Sequence, residues 1–173
     1  IGSYDDTTVV GGNIYYYRVG VLRNGSESIG YESKQITASI TSITSSRDFK
    51  VKAINSNGRE LWNFEGHSDD VTSSVIDSNK YVYSASRDGT VRKIDPNGNE
   101  VTTEGWPFTE YGNGVVGVYI DSNDNIYAVE TYNDITALDS NGNILWESTV
   151  HSNDVSGIVF DSSGYMFTAS IDK

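Results

Sequence analysis

Two sets of residues have the types that form a Ser-His-Asp hydrolytic triad. The first set is His67, Ser86 and Asp88, and the second, 84 positions later, is His151, Ser170 and Asp172. In a triad the histidine takes the serine proton and the aspartate orients the histidine. Hydrolysis also needs a serine on a strained turn and hydrogen-bond donors for an oxyanion, and neither is evident in the surrounding sequence. We therefore predict a structural hydrogen-bond network and no catalytic residue.

Two polar loops have oxygen-bearing side chains at alternate positions, as a calcium loop requires. They are residues 121–125, Asp-Ser-Asn-Asp-Asn, and residues 139–143, Asp-Ser-Asn-Gly-Asn. A calcium loop of this type needs glycine at its sixth position and glutamate at its twelfth. The sixth position holds Ile126 or Ile144, and neither twelfth position holds glutamate. We therefore predict ordinary turns, with no metal site and no bound cofactor.

The elements that position these residues are short strands. Residues 71–77 and 81–86 are rich in β-branched and aromatic residues, and residues 90–95 and 100–104 predict two more strands. Asp88-Gly89 and Asn97-Gly98 are dipeptides typical of hairpin turns. The stretch predicts a four-stranded antiparallel meander.

This meander is repeated along the chain. The pairs Asn57-Gly58, Asn97-Gly98 and Asn141-Gly142 are separated by 40 and then 44 residues. Leu61-Trp62 returns as Leu145-Trp146. A period near 40 with four strands per repeat is typical of a β-propeller blade. We predict three neighbouring inner strands, near residues 71–77, 115–121 and 155–161.

The repeats resemble the WD-repeat family. The resemblance rests on Gly66-His67, on residues 84–91, Ser-Ala-Ser-Arg-Asp-Gly-Thr-Val, and on Ile94-Asp95, where the family has Trp-Asp. It implies that His67, a second-strand serine (Ser84 or Ser86) and Asp88 belong to the hydrogen-bonded set of a blade. His151, Ser170 and Asp172 repeat this set, whereas the middle repeat has Tyr111 near the histidine position. The fold class we predict is all-β, with an incomplete propeller of about three four-stranded blades over residues 41–173. The repeats lie near 41–66, 67–105, 111–150 and 151–173.

Residues 1–40 differ in pattern from the repeats. A glycine turn precedes a tyrosine-rich strand, in which Tyr15 and Tyr17 share one face. This order resembles the C-terminal half of a fibronectin type III domain, with Tyr15 as the corner tyrosine. We therefore expect a partial sandwich before the propeller, and a chain that is a piece of a longer protein.

One aromatic segment interrupts the repeat. The spacing indicates an insertion of about four residues between Gly98 and Asp121, which contains Trp106, Phe108 and Tyr111. Large aromatic side chains are enriched at binding hot spots. We expect Trp106 to pack between blades in place of the tryptophans of the other repeats. Phe108 and Tyr111 are then the expected partner-contact residues, with Trp106 as a third candidate, in a loop that joins two blades.

Composition limits the function. The 173 residues include no cysteine and have a net charge of −12, and no Lys or Arg lies between positions 94 and 172. Such a surface repels phosphate, so nucleic acid is not an expected partner. No apolar run is long enough to span a membrane.

Three function classes fit the sequence. The favoured one is a non-enzymatic structural and interaction module with protein partners in a larger assembly, as part of a phage virion (tail, baseplate or fibre) or a bacterial surface protein. This places the protein in a virion or at the cell surface. The alternatives are a propeller enzyme, quinoprotein-like or a lyase, and a carbohydrate-binding adhesin. An enzyme should show basic residues and carboxylates together near the axis, and the scarcity of Lys and Arg disfavours one.

Overall fold

The computed structural model is all-β. It describes residues 14–17, 20–23, 26–29, 34–37, 40, 42–109, 114–149 and 151–172, and within the first four of these ranges it describes the backbone alone. Every regular element in these ranges is a strand. No helix among the described residues is long and apolar enough to cross a membrane. The predicted all-β fold class is confirmed.

Seventeen strands form six antiparallel sheets within the described residues. Their bounds are β1 Ile14–Tyr17, β2 Gly20–Arg23, β3 Ser26–Ile29, β4 Lys34–Thr37, β5 Ser42–Ser45, β6 Val51–Ile54, β7 Glu60–Phe64, β8 Val71–Ile76, β9 Val82–Ser86, β10 Val91–Ile94, β11 Glu100–Val101, β12 Val115–Ile120, β13 Ile126–Glu130, β14 Asp134–Leu138, β15 Ile144–Thr149, β16 Val155–Phe160 and β17 Met166–Ser170. The pairs β1–β4 and β2–β3 precede the repeats. The fibronectin type III assignment of residues 1–40 stays a prediction, and the side chain of Tyr15 lies outside the described residues.

The remaining sheets are the blades. Blade I is β5–β6–β7, blade II is β8 to β11, blade III is β12 to β15, and blade IV is β16–β17. The inner strands β8, β12 and β16 contact one another in that order, and β5 contacts β8. Each of the three inner strands also has an irregular register near its start, at Val71, Val115 and Val155. The predicted inner strands therefore lie in neighbouring positions, as an arc of a propeller requires.

The hydrophobic core lies between the blades. Apolar faces of blades I and II form one cluster around Val51, Trp62 and Ile94, and a second cluster around Tyr83 and Val115 joins blades II and III. A third joins blade III to blade IV around Tyr127. Burial of apolar area between sheets is thus the main contribution to stability.

Side-chain oxygens fix the outer turns. In blades I, II and III, the turn before the outermost strand begins with Asn55, Asp95 and Asp139, respectively. Its Oδ1 accepts hydrogen bonds from backbone N–H groups two and four residues later, at 2.8 to 3.0 Å. The following glycine, for example Gly98 at φ 89°, adopts a left-handed conformation that suits glycine. These turns hold the outer hairpins in one shape.

The fourth strand of blade II differs from the prediction. We expected it to run over residues 100–104, but β11 ends at Val101, and the chain then leaves the sheet. It returns at Phe108, which exchanges two backbone hydrogen bonds with Val91 of β10 at 2.9 and 3.0 Å. In blade I, Phe64 pairs with Val51 at the same register position. The inserted residues therefore interrupt the outer strand of blade II. We call this segment, residues 102–107, the excursion.

Candidate functional site

His67 lies at the centre of a buried network in blade II. Its Nδ1 is 2.9 Å from Asp88 Oδ2, and its Nε2 is 2.8 Å from Ser84 Oγ. Because a carboxylate accepts hydrogen bonds, Nδ1 carries the proton and Nε2 accepts the hydroxyl proton of Ser84. The Ser68 backbone N–H also donates to Asp88 Oδ2, at 3.0 Å. The network thus ties the loop before β8 to β9 and to the turn after it.

Ser86 has a different role from Ser84. Its Oγ donates to the backbone oxygen of Asp69 at 3.0 Å and accepts from the Asp88 N–H at 3.1 Å. It therefore positions Asp88 without contacting the histidine. The sequence did not determine which of the two serines bonds to His67. In the structure the partner is Ser84.

Thr90 was not among the predicted site residues. Its Oγ1 donates to Asp88 Oδ1 at 2.6 Å, and its backbone N–H donates to the same oxygen at 3.0 Å. The sequence feature that could have indicated this contact is the position of Thr90 directly after Asp88-Gly89.

Burial and hydrogen bonding set the protonation states. Burial lowers the pKa of His67, and the hydrogen bond to Asp88 offsets part of this effect. Burial raises the pKa of Asp88, but hydrogen bonds from Thr90, Ser68 and His67 outweigh burial and lower it to about 2. The stable state at neutral pH is a neutral imidazole beside a carboxylate.

Blade IV repeats the network with one substitution. His151 Nδ1 is 2.9 Å from Asp172 Oδ2, and His151 Nε2 is 2.8 Å from Thr168 Oγ1. Ser170 donates to the backbone oxygen of Asn153 and accepts from the Asp172 N–H. Thr168 therefore occupies the position of Ser84, and Ser170 that of Ser86.

Accessibility argues against hydrolysis at the first network. Ser84 has no exposed surface, and the side chain of His67 is fully buried. A serine nucleophile must meet its substrate, and Ser84 lies inside the sheet. The geometry of a triad is present, but its serine faces the interior of the protein.

The tryptophans join neighbouring blades. The Trp62 indole N–H donates to the backbone oxygen of Pro96, in the outer turn of blade II, at 3.0 Å. The Trp106 indole N–H donates to the backbone oxygen of Ser140, the equivalent position in blade III, at 3.1 Å. Trp106 also packs against the Tyr83 ring, with ring centres 5.2 Å apart. In the outer strand of blade II, Val101 occupies the register position that Trp62 has in blade I. The excursion of blade II supplies Trp106 for the inter-blade contact instead.

The partner-contact role of Phe108 is not supported. Phe108 is 5% exposed, because it lies in the core between blades II and III beside Trp106, which is 3% exposed. A partner-contact residue needs an exposed ring, so burial argues against this role for Phe108 and for Trp106. Tyr111 lies outside the described residues, so its contact role stays a prediction.

The candidate calcium loops use their first carboxylates internally. Asp139 Oδ1 accepts two backbone hydrogen bonds, and Oδ2 accepts one from the Asn143 amide at 2.8 Å. Asp121 makes the same set of contacts with Asn123 and Asn125, and Tyr127 donates to it as well. These oxygens act as turn acceptors in this fold.

An open groove of about 310 Å³ lies where blades I, II and III meet, at the ends of β8 and β9. It is lined by Arg47, Asp70, Val71, Thr72, Arg87 and Val116. The Arg47 side chain is 94% exposed and approaches Asp70 only at 3.9 Å. Arg87 is exposed and follows Ser86 in the turn after β9. The groove therefore offers accessible positive charge in a strongly acidic protein.

Comparisons with known families agree with this architecture. A model described as WD domain, G-beta repeat, matches residues 58–95. A model described as outer membrane protein assembly factor BamB matches residues 87–173, which are 87 of the 173 residues. The chain belongs to this BamB-type propeller family. The match runs from the blade II network to the blade IV network.

Solved structures show the same fold for this BamB-type propeller. One, titled "Structure of U3-55K", has a TM-score of 0.60 and 16% identity, and the match covers 67% of this chain and 38% of that chain. At that identity the likeness shows the fold alone. The 606 structural chains that match show how common the fold is, so the fold does not select one function. No curated protein matches the sequence.

Proposed function

We propose that this chain is a non-enzymatic structural and interaction module that binds a protein partner within a larger assembly. The observation that carries the proposal is the burial of Ser84 and His67, which assigns the chemically capable residues to the interior of a blade. WD-type and BamB-type propellers present loops and turns at the ends of their strands, where proteins can dock. Enzymatic and carbohydrate-binding roles remain the competing functions.

We propose the groove beside Arg47 and Arg87 as the partner surface. It lies at one end of the blades, and both guanidinium groups are accessible. Arginine is enriched at interfaces because it forms several hydrogen bonds and also stacks. The expected partner contributes carboxylate or backbone oxygens to this groove. We further propose a setting in a phage tail, baseplate or fibre, or at a bacterial surface, on the strength of the sequence resemblance.

Site-specific photo-crosslinking tests this proposal. A photoreactive amino acid replaces Arg87 in one variant and Lys80 in the control. Lys80 is exposed in the turn at the opposite end of β9. Both variants are expressed in the organism of origin, and the crosslinked products are identified by mass spectrometry. We expect one protein partner to crosslink at position 87 and not at position 80. Equal products at both positions, or none at position 87, would contradict the proposal.

A further inference from the structure

A second open groove, of about 330 Å³, lies at the outer strands of blades II and III, and we call it the side groove. Gly105 and Pro107 of the excursion line one wall, and Ile144 of β15 lines the opposite wall. The side groove shares no lining residue with the groove beside Arg47 and Arg87. Blades II and III are both four-stranded sheets, so the side groove lies between two complete blades.

Two glycines keep the side groove open. A Cβ on Gly105 would lie 2.6 Å from the backbone oxygen of Gly142, and one on Gly142 would lie 2.8 Å from the backbone of Gly105. The Gly105 N–H also donates to the backbone oxygen of Asn141 at 2.9 Å. The excursion and the outer turn of blade III are therefore in direct backbone contact. Because neither glycine has a side chain, the space beside this contact stays open.

Ile144 is apolar at a position that is charged in the other blades. The residue that pairs with the end of the third strand is Glu60 in blade I, Glu100 in blade II and Ile144 in blade III. Glu60 forms an ion pair with Lys52 at 2.8 Å, and Glu100 forms one with Arg92 at 2.5 Å. Ile144 is instead 42% exposed and lines the side groove. Blade III therefore offers an accessible apolar side chain where blades I and II have an internal ion pair.

Carboxylates extend this surface along blade III. Asp134, Thr136 and Leu138 alternate along β14 and so share one face of the sheet. Leu138 packs in the core between blades II and III, which directs this face toward blade II. Glu147 pairs with Thr136, and Ile144 pairs with Leu138, so Glu147 and Ile144 also lie on this face. Glu147 is exposed and follows Ile144 by three positions, which is about 10 Å along a strand.

The carboxylates of this face make no ion pair with any residue that the structure describes. Thr136 occupies the position that Arg92 has in blade II, and no Lys or Arg lies between positions 94 and 172. Burial, followed by the nearby Asp134 and Glu147 carboxylates, raises the pKa of Glu130 to about 7. Like charges at neighbouring positions destabilise a sheet. A positive charge from a partner would relieve this repulsion.

We propose that the side groove and Glu147 together bind an extended segment of a basic protein partner. An aliphatic side chain of the segment lies between Pro107 and Ile144, and a lysine or arginine three residues away lies against Glu147. The spacing fits because an extended chain advances about 3.3 Å per residue. A second copy of the chain is a poor occupant, because each copy has a net charge of −12 and the two repel. This surface does not depend on the groove beside Arg47 and Arg87, so either assignment can fail alone.

Short peptides of fixed charge test the proposal. The probe is the acetylated and amidated peptide Lys-Ser-Ser-Leu-Ser-Ser-Lys, which has a lysine three residues from leucine in both chain directions. One control peptide replaces leucine by serine, and the other replaces both lysines by glutamate. The ¹⁵N-labelled full chain is titrated with each peptide at low ionic strength and followed by NMR. We expect the probe to shift the amide resonances of Gly105, Gly142 and Ile144. We expect each control peptide to bind at least about tenfold more weakly.

Chain variants separate the proposed surface from the overall negative charge. Ile144→Ser should weaken binding of the probe by about tenfold, and Glu147→Gln should weaken it by about fivefold. Glu65→Gln removes the same charge from an exposed side chain of blade I and should leave the affinity unchanged. Equal binding of the three peptides, unchanged binding by Glu147→Gln, or no binding at millimolar peptide would overturn the proposal. Self-association of the chain that Ile144→Ser abolishes in sedimentation experiments would assign the side groove to a second copy and would also overturn it.

Discussion

The indole N–H of Trp62 donates to the backbone oxygen of Pro96, 34 residues later in the next blade, and Trp106 makes the same contact with Ser140. The two contacts join different pairs of blades, and the two tryptophans lie in segments with different backbone structure. Trp62 comes from a regular outer strand, whereas Trp106 comes from an excursion that leaves the strand after Val101. The inter-blade contact is therefore kept although the strand that supplies it has changed.

Replacing Trp106 and replacing Trp146 should lower the stability of the protein by unequal amounts. Trp106→Ala removes a ring that is 3% exposed and should lower the free energy of unfolding by about 3–5 kcal/mol. Trp146→Ala removes a ring that is 38% exposed and should cost clearly less. Urea denaturation followed by circular dichroism measures both. Equal losses would mean that Trp106 is not a core residue.

The outer-turn glycines provide a second matched pair. Gly142 and Gly58 have nearly the same φ, 83° and 76°, so alanine is strained at both. A Cβ on Gly142 would also lie 2.8 Å from the Gly105 backbone, whereas a Cβ on Gly58 meets nothing within 4 Å. We expect Gly58→Ala to cost about 1–2 kcal/mol and Gly142→Ala to cost measurably more. If the two variants unfold at the same urea concentration, the close contact between blades II and III is wrong.

The two histidine networks should differ in their contribution. His67→Ala removes the imidazole that accepts from Ser84 and one of the hydrogen bonds to Asp88 in a buried site, and it should cost about 1–3 kcal/mol. The His151 and Asp172 side chains are 19% and 28% exposed, against 0% and 5% for His67 and Asp88. Water can replace the lost partner in blade IV, so His151→Ala should cost less. Thermal unfolding of the two variants side by side decides the point.

Glu130 should make the stability of blade III depend on pH. Burial, followed by the nearby Asp134 and Glu147 carboxylates, raises the pKa of Glu130 to about 7. Because this pKa is raised in the folded state, the contribution of Glu130 is fully present below its unfolded pKa, near 4.5, and is lost as the pH rises through 7. Glu130→Gln should therefore stabilise the protein at pH 8 and have little effect at pH 4.5. Urea midpoints at the two pH values measure this difference, and an equal effect at both would contradict it.

Sequence period and turn residues predicted most of the blades because both act locally. The Asn-Gly pairs and alternating strands placed β8, β12 and β16 correctly. The excursion of blade II was assigned to the loop between blades, since spacing reveals an insertion but not the strand that absorbs it. Only the return of Phe108 to Val91 shows this, and that pairing is a tertiary contact.

The histidine partners show a similar limit. Ser84 and Ser86 have the same residue type and both lie in β9, so the sequence could not choose between them. Both side chains lie on the same face of β9, so the position along the strand decides, and Thr168 repeats the choice in blade IV. Aligning residues 166–172 with residues 82–88 would have identified Thr168 as the equivalent of Ser84. The exposure of Phe108 was misjudged because an aromatic loop residue and an aromatic core residue look alike in sequence.

The most direct test of the account asks whether Ser84 is a nucleophile. The folded chain is incubated with a fluorophosphonate, which reacts with activated serines, and its intact mass is measured, with a serine hydrolase as the positive control. Because Ser84 is 0% exposed and serves the His67 network, we predict no adduct. A single adduct at Ser84 that disappears in the folded His67→Ala variant would contradict the structural assignment and identify an active site.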